Sequence, residues 1–255
     1  MSTVISISNH KGGVGKTTSA INIGAGLNSL GQRVLLIDLD PQANLSQSLG
    51  LQDQNPNIYT YLKQISSGYR TPVSPVEILL GLDAIPSTLD LSGAEVELSA
   101  EAGREYILRE LIEPLRERYD YILIDSPPSL GLLTINALTA SDEVFIPLQA
   151  QYLALQGLTK LLEVIEKIRK RLNKDLKVGG VFITQYDSRK ILNRDVVATI
   201  QDHFKNQVFN ARIRDNIALA EAPAQGVDIF RYSPKSYGAE DYLALCKEIL
   251  KTNHK

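Results

Sequence analysis

Cysteine is almost missing from this chain. One residue, Cys246, occurs in 255, which excludes an internal disulfide and any cysteine-based metal cluster built within one chain. Cys246 itself reads as a small buried residue on the last helix. Long apolar runs are also lacking, and nothing approaches the roughly 20 residues of a membrane-spanning helix. Histidine is scarce: His10, His203 and His254 show neither triad nor zinc spacing. His10 reads as a backbone spacer, the other two as surface or core. There are no internal repeats and no low-complexity segment. A β-type run starts by residue 4, leaving no room at the front for a signal peptide or a DNA-binding head. The expected location is the cytoplasm, and the expected organisation is one large domain over residues 1–255.

Charge of either sign is modest overall, at −2 net, but it is unevenly spread. Residues 1–110 carry 7 Lys/Arg against 11 Asp/Glu, whereas residues 160–215 carry 13 against 7. A basic half fits a polyanion-binding face, or a solvated helix face of the kind Lys167, Arg169, Lys170 and Arg171 would make. Charge alone leaves both open.

What is present is an alternation of β-branched apolar runs with helical periodicity. Strands are predicted at 4–8, 33–38, 82–86, 121–125, 143–147 and 178–184, with weaker candidates at 208–211 and 228–230. Helices are predicted at 17–30, 58–66, 104–118, 131–140, 156–172, 193–204 and 238–251. Apolar strands joined by helical crossovers imply an α/β fold: a doubly wound, mostly parallel sheet with helices on both faces. Ligands of such sheets sit beyond the carboxyl ends of the strands. Residues 50–76, with Asn55-Pro56, Ser66-Ser67-Gly68 and Thr71-Pro72, read as a loop-rich excursion.

The richest segment is Asn9-His10-Lys11-Gly12-Gly13-Val14-Gly15-Lys16-Thr17-Thr18, set between a strand and a helix. Its glycines let the backbone curl until several N–H groups face one anion, and the helix that follows points its positive dipole end at the same place. Lys16 can reach the β/γ-phosphates of a nucleotide, and the Thr17 hydroxyl can ligate Mg²⁺. A tight turn would need the glycines but not Lys16-Thr17 as well. Two strands then end on carboxylates. The run 34–37 enters Asp38-Leu39-Asp40-Pro41-Gln42, and alternation puts Asp38 and Asp40 on one side, suited to a metal's water shell and to activating water. The strand Tyr121–Ile124 closes on Asp125-Ser126-Pro127-Pro128, an arrangement that holds Mg²⁺ through water opposite the loop threonine.

Together these segments resemble the ParA/MinD superfamily of ATPases. Lys11–Thr18 is similar to its deviant Walker A motif, Asp38–Asn44 to its second acidic motif and Asp125–Leu130 to its Walker B. Ile183–Arg189, Leu219–Pro223 and Ser236–Glu240 resemble ParA proper, and the bare N-terminus is like the short Soj-type members. The resemblance covers nearly the whole chain. It implies that Lys11 reaches across a homodimer to the partner's phosphates, so that two ATP molecules are sandwiched between protomers. It implies Lys16 as the β/γ-phosphate cation, Thr17 as the Mg²⁺ ligand, Asp38 and Asp125 on its water shell and Asp40 on the attacking water. Gly12, Gly13, Val14, Gly15 and Thr18 complete the phosphate loop. Adenine is expected near Gln185, Tyr186 and Arg214-Asp215-Asn216.

The implied function is partition: the ATP-bound dimer binds double-stranded DNA without sequence preference and associates with the nucleoid, and a ParB-type adaptor stimulates slow hydrolysis. Arg189, Lys190, Arg194, Lys205, Arg212, Arg214 and Lys235 are candidate DNA contacts. Alternatives are a ParA-like positioner of another cargo, such as a microcompartment or protein cluster, and a membrane-cycling positioner like MinD, which needs an amphipathic C-terminal helix that residues 242–255 do not clearly supply. An iron–sulfur reductase on the same loop is excluded by the single cysteine, and a kinase or synthetase lacks a supporting motif. One departure stands out. The family often reads Ile-Pro-Arg-Asn-Val-Arg where this chain has Ile213-Arg214-Asp215-Asn216-Ile217-Ala218, which touches the expected adenine edge and leaves the phosphate chemistry intact.

Overall fold

A computed structural model of the chain describes residues 2–69, 72–151 and 154–253. Its strands are β1 (Thr3–Ile7), β2 (Val34–Asp38), β3 (Val76–Leu79), β4 (Leu82–Ile85), β5 (Tyr121–Asp125), β6 (Glu143–Gln149), β7 (Lys177–Tyr186) and β8 (Val208–Arg214). They form one sheet in the order β3-β4-β2-β5-β1-β6-β7-β8. All pairings are parallel except β3 with β4. The helices are α1 (Lys16–Ser29), α2 (Asn44–Ser48), α3 (Ile58–Ser66), α4 (Leu91–Glu97), α5 (Ile107–Ile112), α6 (Leu132–Ala140), α7 (Ala154–Arg171), α8 (Ile191–Phe204), α9 (Ala218–Glu221), α10 (Ile229–Tyr232) and α11 (Tyr237–Asn253). The predicted doubly wound sheet is the observed one.

Strand alternation divides the core. Ile5, Ile7, Leu36, Leu123, Phe145 and Phe182 face α1 and α11, where Ile23, Leu27, Tyr242, Leu245 and Ile249 are buried against them. Their neighbours Val4, Leu35, Ile37 and Ile122 face the other way, onto Ile58, Leu62, Leu108 and Leu111. Val144, Ile146, Val181 and Ile183 pack on α7 and α8 through Leu161, Ile165, Ile168 and Ile200. Each such side chain stabilises the fold by about 1.5–3 kcal/mol. Strands apolar on both faces are the reason a parallel sheet could be read from the sequence.

Two predicted elements differ and one strand is unpredicted. Residues 228–230 are not a strand: Asp228 accepts hydrogen bonds from the N–H groups of Phe230 (2.9 Å) and Arg231 (3.1 Å) and thereby caps α10. The helix predicted over 104–118 is α5 flanked by 3₁₀ turns at Arg104–Tyr106 and Glu113–Leu115, since Pro114 has no N–H to continue an α-helical ladder. Where the excursion 50–76 ends, β3 forms an antiparallel edge that its short, half-buried run did not reveal. Residues 70–71, like His254 in the tail, lie outside the described residues.

Candidate active site

The centre of the sheet brings the three motifs together. Ile7 of β1 and Asp38 of β2 are both register partners of Asp125 on β5, so the glycine loop after β1 and the two carboxylate strand tips share one edge. In that loop Gly13 (φ +72°) and Gly15 (φ +85°) occupy the left-handed region. A Cβ at Gly13 would meet nothing within 4 Å, so backbone conformation, not crowding, calls for glycine there. α1 begins without a side-chain cap, leaving its first N–H groups free to hold an anion.

The loop is pinned from outside by residues distant in sequence. Asn9 Nδ2 donates to the Pro147 carbonyl (2.7 Å), and Asn9 Oδ1 accepts from the Lys11 N–H (2.9 Å). The Gly13 carbonyl accepts from Gln149 Nε2 (2.7 Å) and Gln185 Nε2 (3.2 Å), while Thr184 Oγ1 donates to the Val14 carbonyl (2.9 Å). With its carbonyls bound by the tips of β6 and β7, the loop keeps its N–H groups for a ligand. Asn9 and Thr184 fall inside the segments 9–18 and 183–189 but carry no assigned role there, and Gln149 lies outside the sequence motifs altogether. The only local signal for Gln149 is a polar side chain closing an apolar strand, which is far weaker for an amide than for a carboxylate.

Burial governs the charges. Lys16 is only 7% exposed. Desolvation lowers its pKa, and the charges of Asp125 and Asp40 oppose that shift. Asp38 is fully buried and its carboxyl is pushed up to about 6, mainly by desolvation, although the Ser46 N–H (2.9 Å), the Ser46 hydroxyl (2.7 Å) and the Asp40 N–H (3.2 Å) all donate to it. Asp125 is 1% exposed, and neither of its oxygens accepts a well-formed hydrogen bond from the described residues. Burial first, then the Asp38 charge, hold it well above the usual carboxylate range, with the nearby Thr17 hydroxyl and Lys16 in partial opposition. Asp40 is buried too, and its Oδ1 accepts from the Gln42 N–H (2.9 Å). Among the described residues no three His, Cys, Asp or Glu side chains converge as a cage, so a cation here would take most of its ligands from phosphate and water.

Beside the loop lies a cleft of about 160 Å³. Thr18, Gln185, Arg214, Asp215, Asn216 and Tyr242 line it, which brings four of the five predicted adenine residues to the loop. The fifth, Tyr186, does not line it; its ring lies 4.9 Å from the Arg212 guanidinium, which also donates to the Tyr186 hydroxyl (3.0 Å). Lys11 extends from the front of the loop to Gln149 Oε1 (3.1 Å) and Gln151 Oε1 (2.8 Å), and His10 Nδ1 lies 3.0 Å from the Pro128 carbonyl. Of the predicted DNA contacts, Arg189 pairs with Asp187 (2.9 Å), Arg214 pairs with Asp241 and Glu240, and Arg212 is on Tyr186. Lys190, Arg194, Lys205 and Lys235 are exposed and have no ion pair among the described residues.

Comparison with known proteins agrees with this geometry. A family model described as "AAA domain" matches residues 2–178. The chain is 44% identical over 249 residues to the sporulation initiation inhibitor protein Soj of Bacillus subtilis (strain 168), covering 98% of each chain. It is 46% identical over 249 residues to the chromosome partitioning protein ParA of Myxococcus xanthus (strain DK1622), covering 97% of this chain and 88% of that one. Among solved structures it is similar to a cobyrinic acid a,c-diamide synthase from Mycobacterium smegmatis with bound ATP analog and magnesium, at 37% identity and a TM-score of 0.85, covering 98% of this chain and 95% of the other.

Proposed function

The chain belongs to the AAA-domain family and, within it, to the Soj/ParA partition ATPases, and from that footing we propose that it acts as one unit over residues 1–255 whose ATP-bound form pairs with a second copy and binds DNA. It is an ATPase. Its nucleotide is ATP, taken with Mg²⁺.

Asp125 carries this reading. A buried carboxylate with two unpaired oxygens, a register partner of Asp38 and near the Thr17 hydroxyl, is a set of hard oxygen donors that fits Mg²⁺. Thr17 would ligate the ion, and Asp125 and Asp38 would hold its water shell. When bound, the metal offsets charge on the phosphates being transferred. Lys16 and the N–H groups of residues 12–18 hold the phosphates, and their charge and dipoles stabilise what develops at the γ-phosphate. Asp40, fixed by the Gln42 N–H, orients the attacking water. Gln185 and residues 214–216 receive the base.

Among the described residues the Lys11 ammonium is held by neutral glutamine amides, an exchangeable position from which it can cross to a partner's phosphates. DNA association then rests on Lys190, Arg194, Lys205 and Lys235, through phosphate contact and counterion release. A ParB-type adaptor supplies an arginine to the site and accelerates hydrolysis, releasing the protein from the nucleoid into the cytoplasm. No helix among the described residues is long and apolar enough to cross a membrane. The apolar positions of α11 are packed on α1, which leaves them unavailable as a membrane-binding face. Retention on random-sequence duplex DNA with ATP, ADP or no nucleotide tests the reading. Wild type should bind only with ATP, with salt sensitivity, and Lys16→Ala should not bind. ATP binding without DNA retention in any state would overturn it.

A further inference from the structure

The base cleft is bounded on its outer side by the end of β8, and a sheet edge is a poor wall. β8 has one strand neighbour, β7, and the pairing shifts register twice along its length. The ladder reaches residues 214–216 only at the pairing of Arg214 with Tyr186, so a hold from outside the sheet bears directly on how firmly they are placed. Asp241, near the start of α11 and itself 9% exposed, is positioned to supply it. It accepts from the Arg214 backbone N–H (2.9 Å), from Arg214 Nε (3.0 and 2.9 Å) and from Arg214 Nη2 (2.5 Å). Glu240 Oε2 accepts a further bond from Nη2 (2.7 Å), and the guanidinium lies 4.1 Å from the centroid of the Tyr237 ring. One carboxylate thus fixes both the backbone and the side chain of residue 214. The next residue on the helix, Tyr242, also lines the cleft and is tied to Ser19 of α1 (2.9 Å).

We infer that Arg214 and Asp241 form a clamp that sets the width of the nucleobase cleft, which makes them positioning residues for base affinity and selectivity and removes Arg214 from the DNA surface. The inference rests on the reading that the base occupies this cleft. Its physical basis is preorganisation. A fork-shaped guanidinium held bidentately by a shielded carboxylate and stacked on an aromatic face has little freedom left. A wall ordered in advance does not have to be ordered by the ligand. Downstream the same wall is fixed by the Asp215 N–H on the Tyr186 carbonyl (3.3 Å) and by Asn216 Oδ1 on the Ala218 N–H (2.9 Å), and the clamp adds a side-chain hold at residue 214, where the strand pairing ends.

The test measures dissociation constants of the full chain for ATP, GTP and inorganic tripolyphosphate, with Mg²⁺ present, for wild type, Arg214→Ala, Arg214→Lys and Asp241→Asn. ATP binding should weaken about three- to tenfold in Arg214→Ala and Asp241→Asn, the ordering cost of one or two side chains. The ATP-over-GTP preference should narrow, and tripolyphosphate affinity should stay as in wild type. Arg214→Lys should recover part of the loss, since it keeps the charge without the fork. Equal weakening toward ATP and tripolyphosphate would show a general loosening of the fold and overturn the clamp, as would unchanged ATP and GTP binding. Photolabelling of wild type with 8-azido-ATP separates this from failure of the underlying reading: label on residues 213–220 places the base in the cleft, and label elsewhere removes the reading and the clamp with it.

Discussion

Replacing Asp125 by asparagine should make the nucleotide-free protein more stable at alkaline pH while destroying its chemistry. In the folded chain the Asp125 carboxyl is held well above the usual range by burial and by the Asp38 charge, whereas in the unfolded chain it titrates near 3.9. The folded state therefore keeps a proton that the unfolded state releases, and stability falls as pH rises from about 4 through the folded-state value. The neighbouring Asp38, raised from 3.8 to about 6, contributes in the same direction: two units correspond to about 3 kcal/mol lost between about pH 4 and 6. Asparagine carries no charge to desolvate but leaves its own amide partly unsatisfied, so the net gain is the smaller difference, about 1–3 kcal/mol. For a chain of this size that is roughly 2–10 °C in Tm. Calorimetry in EDTA from pH 5 to 8.5 should show Asp125→Asn melting above wild type at pH 8, with the gap narrowing as the pH falls, since the raised carboxyl regains its proton in that direction. Adding Mg²⁺ and ATP should reverse the order, since only wild type gains ligand stabilisation, and hydrolysis by the variant should fall at least about a hundredfold. A nucleotide-free variant that melts below wild type at pH 8, or above it by the same margin at every pH, would refute an electrostatic origin.

Gly15→Ala places a Cβ at φ +85°; about 1–2 kcal/mol of strain should lower the nucleotide-free Tm by a few degrees and weaken binding of a fluorescent ATP analogue at least about tenfold. Among the described residues Lys11→Ala removes side-chain hydrogen bonds to Gln149 and Gln151, so ATP affinity of the monomer should stay within about threefold of wild type while ATP-dependent dimerisation disappears in sedimentation velocity; an intact ATP dimer would end the trans role. Replacing Lys190, Arg194 and Lys205 by alanine should flatten the plot of log affinity for DNA against log salt by about 0.9 for each DNA phosphate that is no longer neutralised, and an unchanged slope would show that the DNA face lies elsewhere.

The parts of this molecule that could be read from the sequence are those written within a few consecutive residues. The glycine loop, the helix behind it and the aspartates at the tips of β2 and β5 each announce themselves in a short stretch, because a strand tip fixes where its last side chain goes. The pins on the loop are a different kind of information. Gln149 and Thr184 lie 136 and 170 residues from the carbonyls they bind; Gln149 has no local pattern marking it as anything but a polar strand end, and the segment 183–189 marks Thr184 without showing what it holds. Ser46 on Asp38 and Asp241 on Arg214 are nearer in sequence but equally unmarked by any local pattern. The elements that differ from expectation have local causes: Asp228 is a capping residue in a run short enough to pass for a strand, and Pro114 interrupts an otherwise helical periodicity.

The shifts at the site point to how nucleotide and metal cooperate. Lys16 is pushed down while Asp38 and Asp125 are pushed up, which is the signature of burial outweighing the attraction between Lys16 and Asp125 and the hydrogen bonds Ser46 and Asp40 give Asp38. Opposite charges already close together are therefore not enough to settle each other. Each class needs a further partner of its own: anionic oxygens for Lys16 and the start of α1, a cation for the two aspartates. Triphosphate alone would satisfy the first and add repulsion to the second, and a cation alone would do the reverse. The two ligands bound together remove both penalties, so binding of either should strengthen the other. The rigid loop makes that coupling effective, because Gln149, Gln185 and Thr184 hold its carbonyls away from the ligand and the free energy of charge compensation is not spent on ordering the backbone. Titrating ATP at several fixed Mg²⁺ concentrations should then give an affinity that rises with the metal in wild type, and in Asp125→Asn an affinity closer to independent of it; equal metal dependence in both would place the coupling in the metal–nucleotide complex in solution instead of in the carboxylate pair.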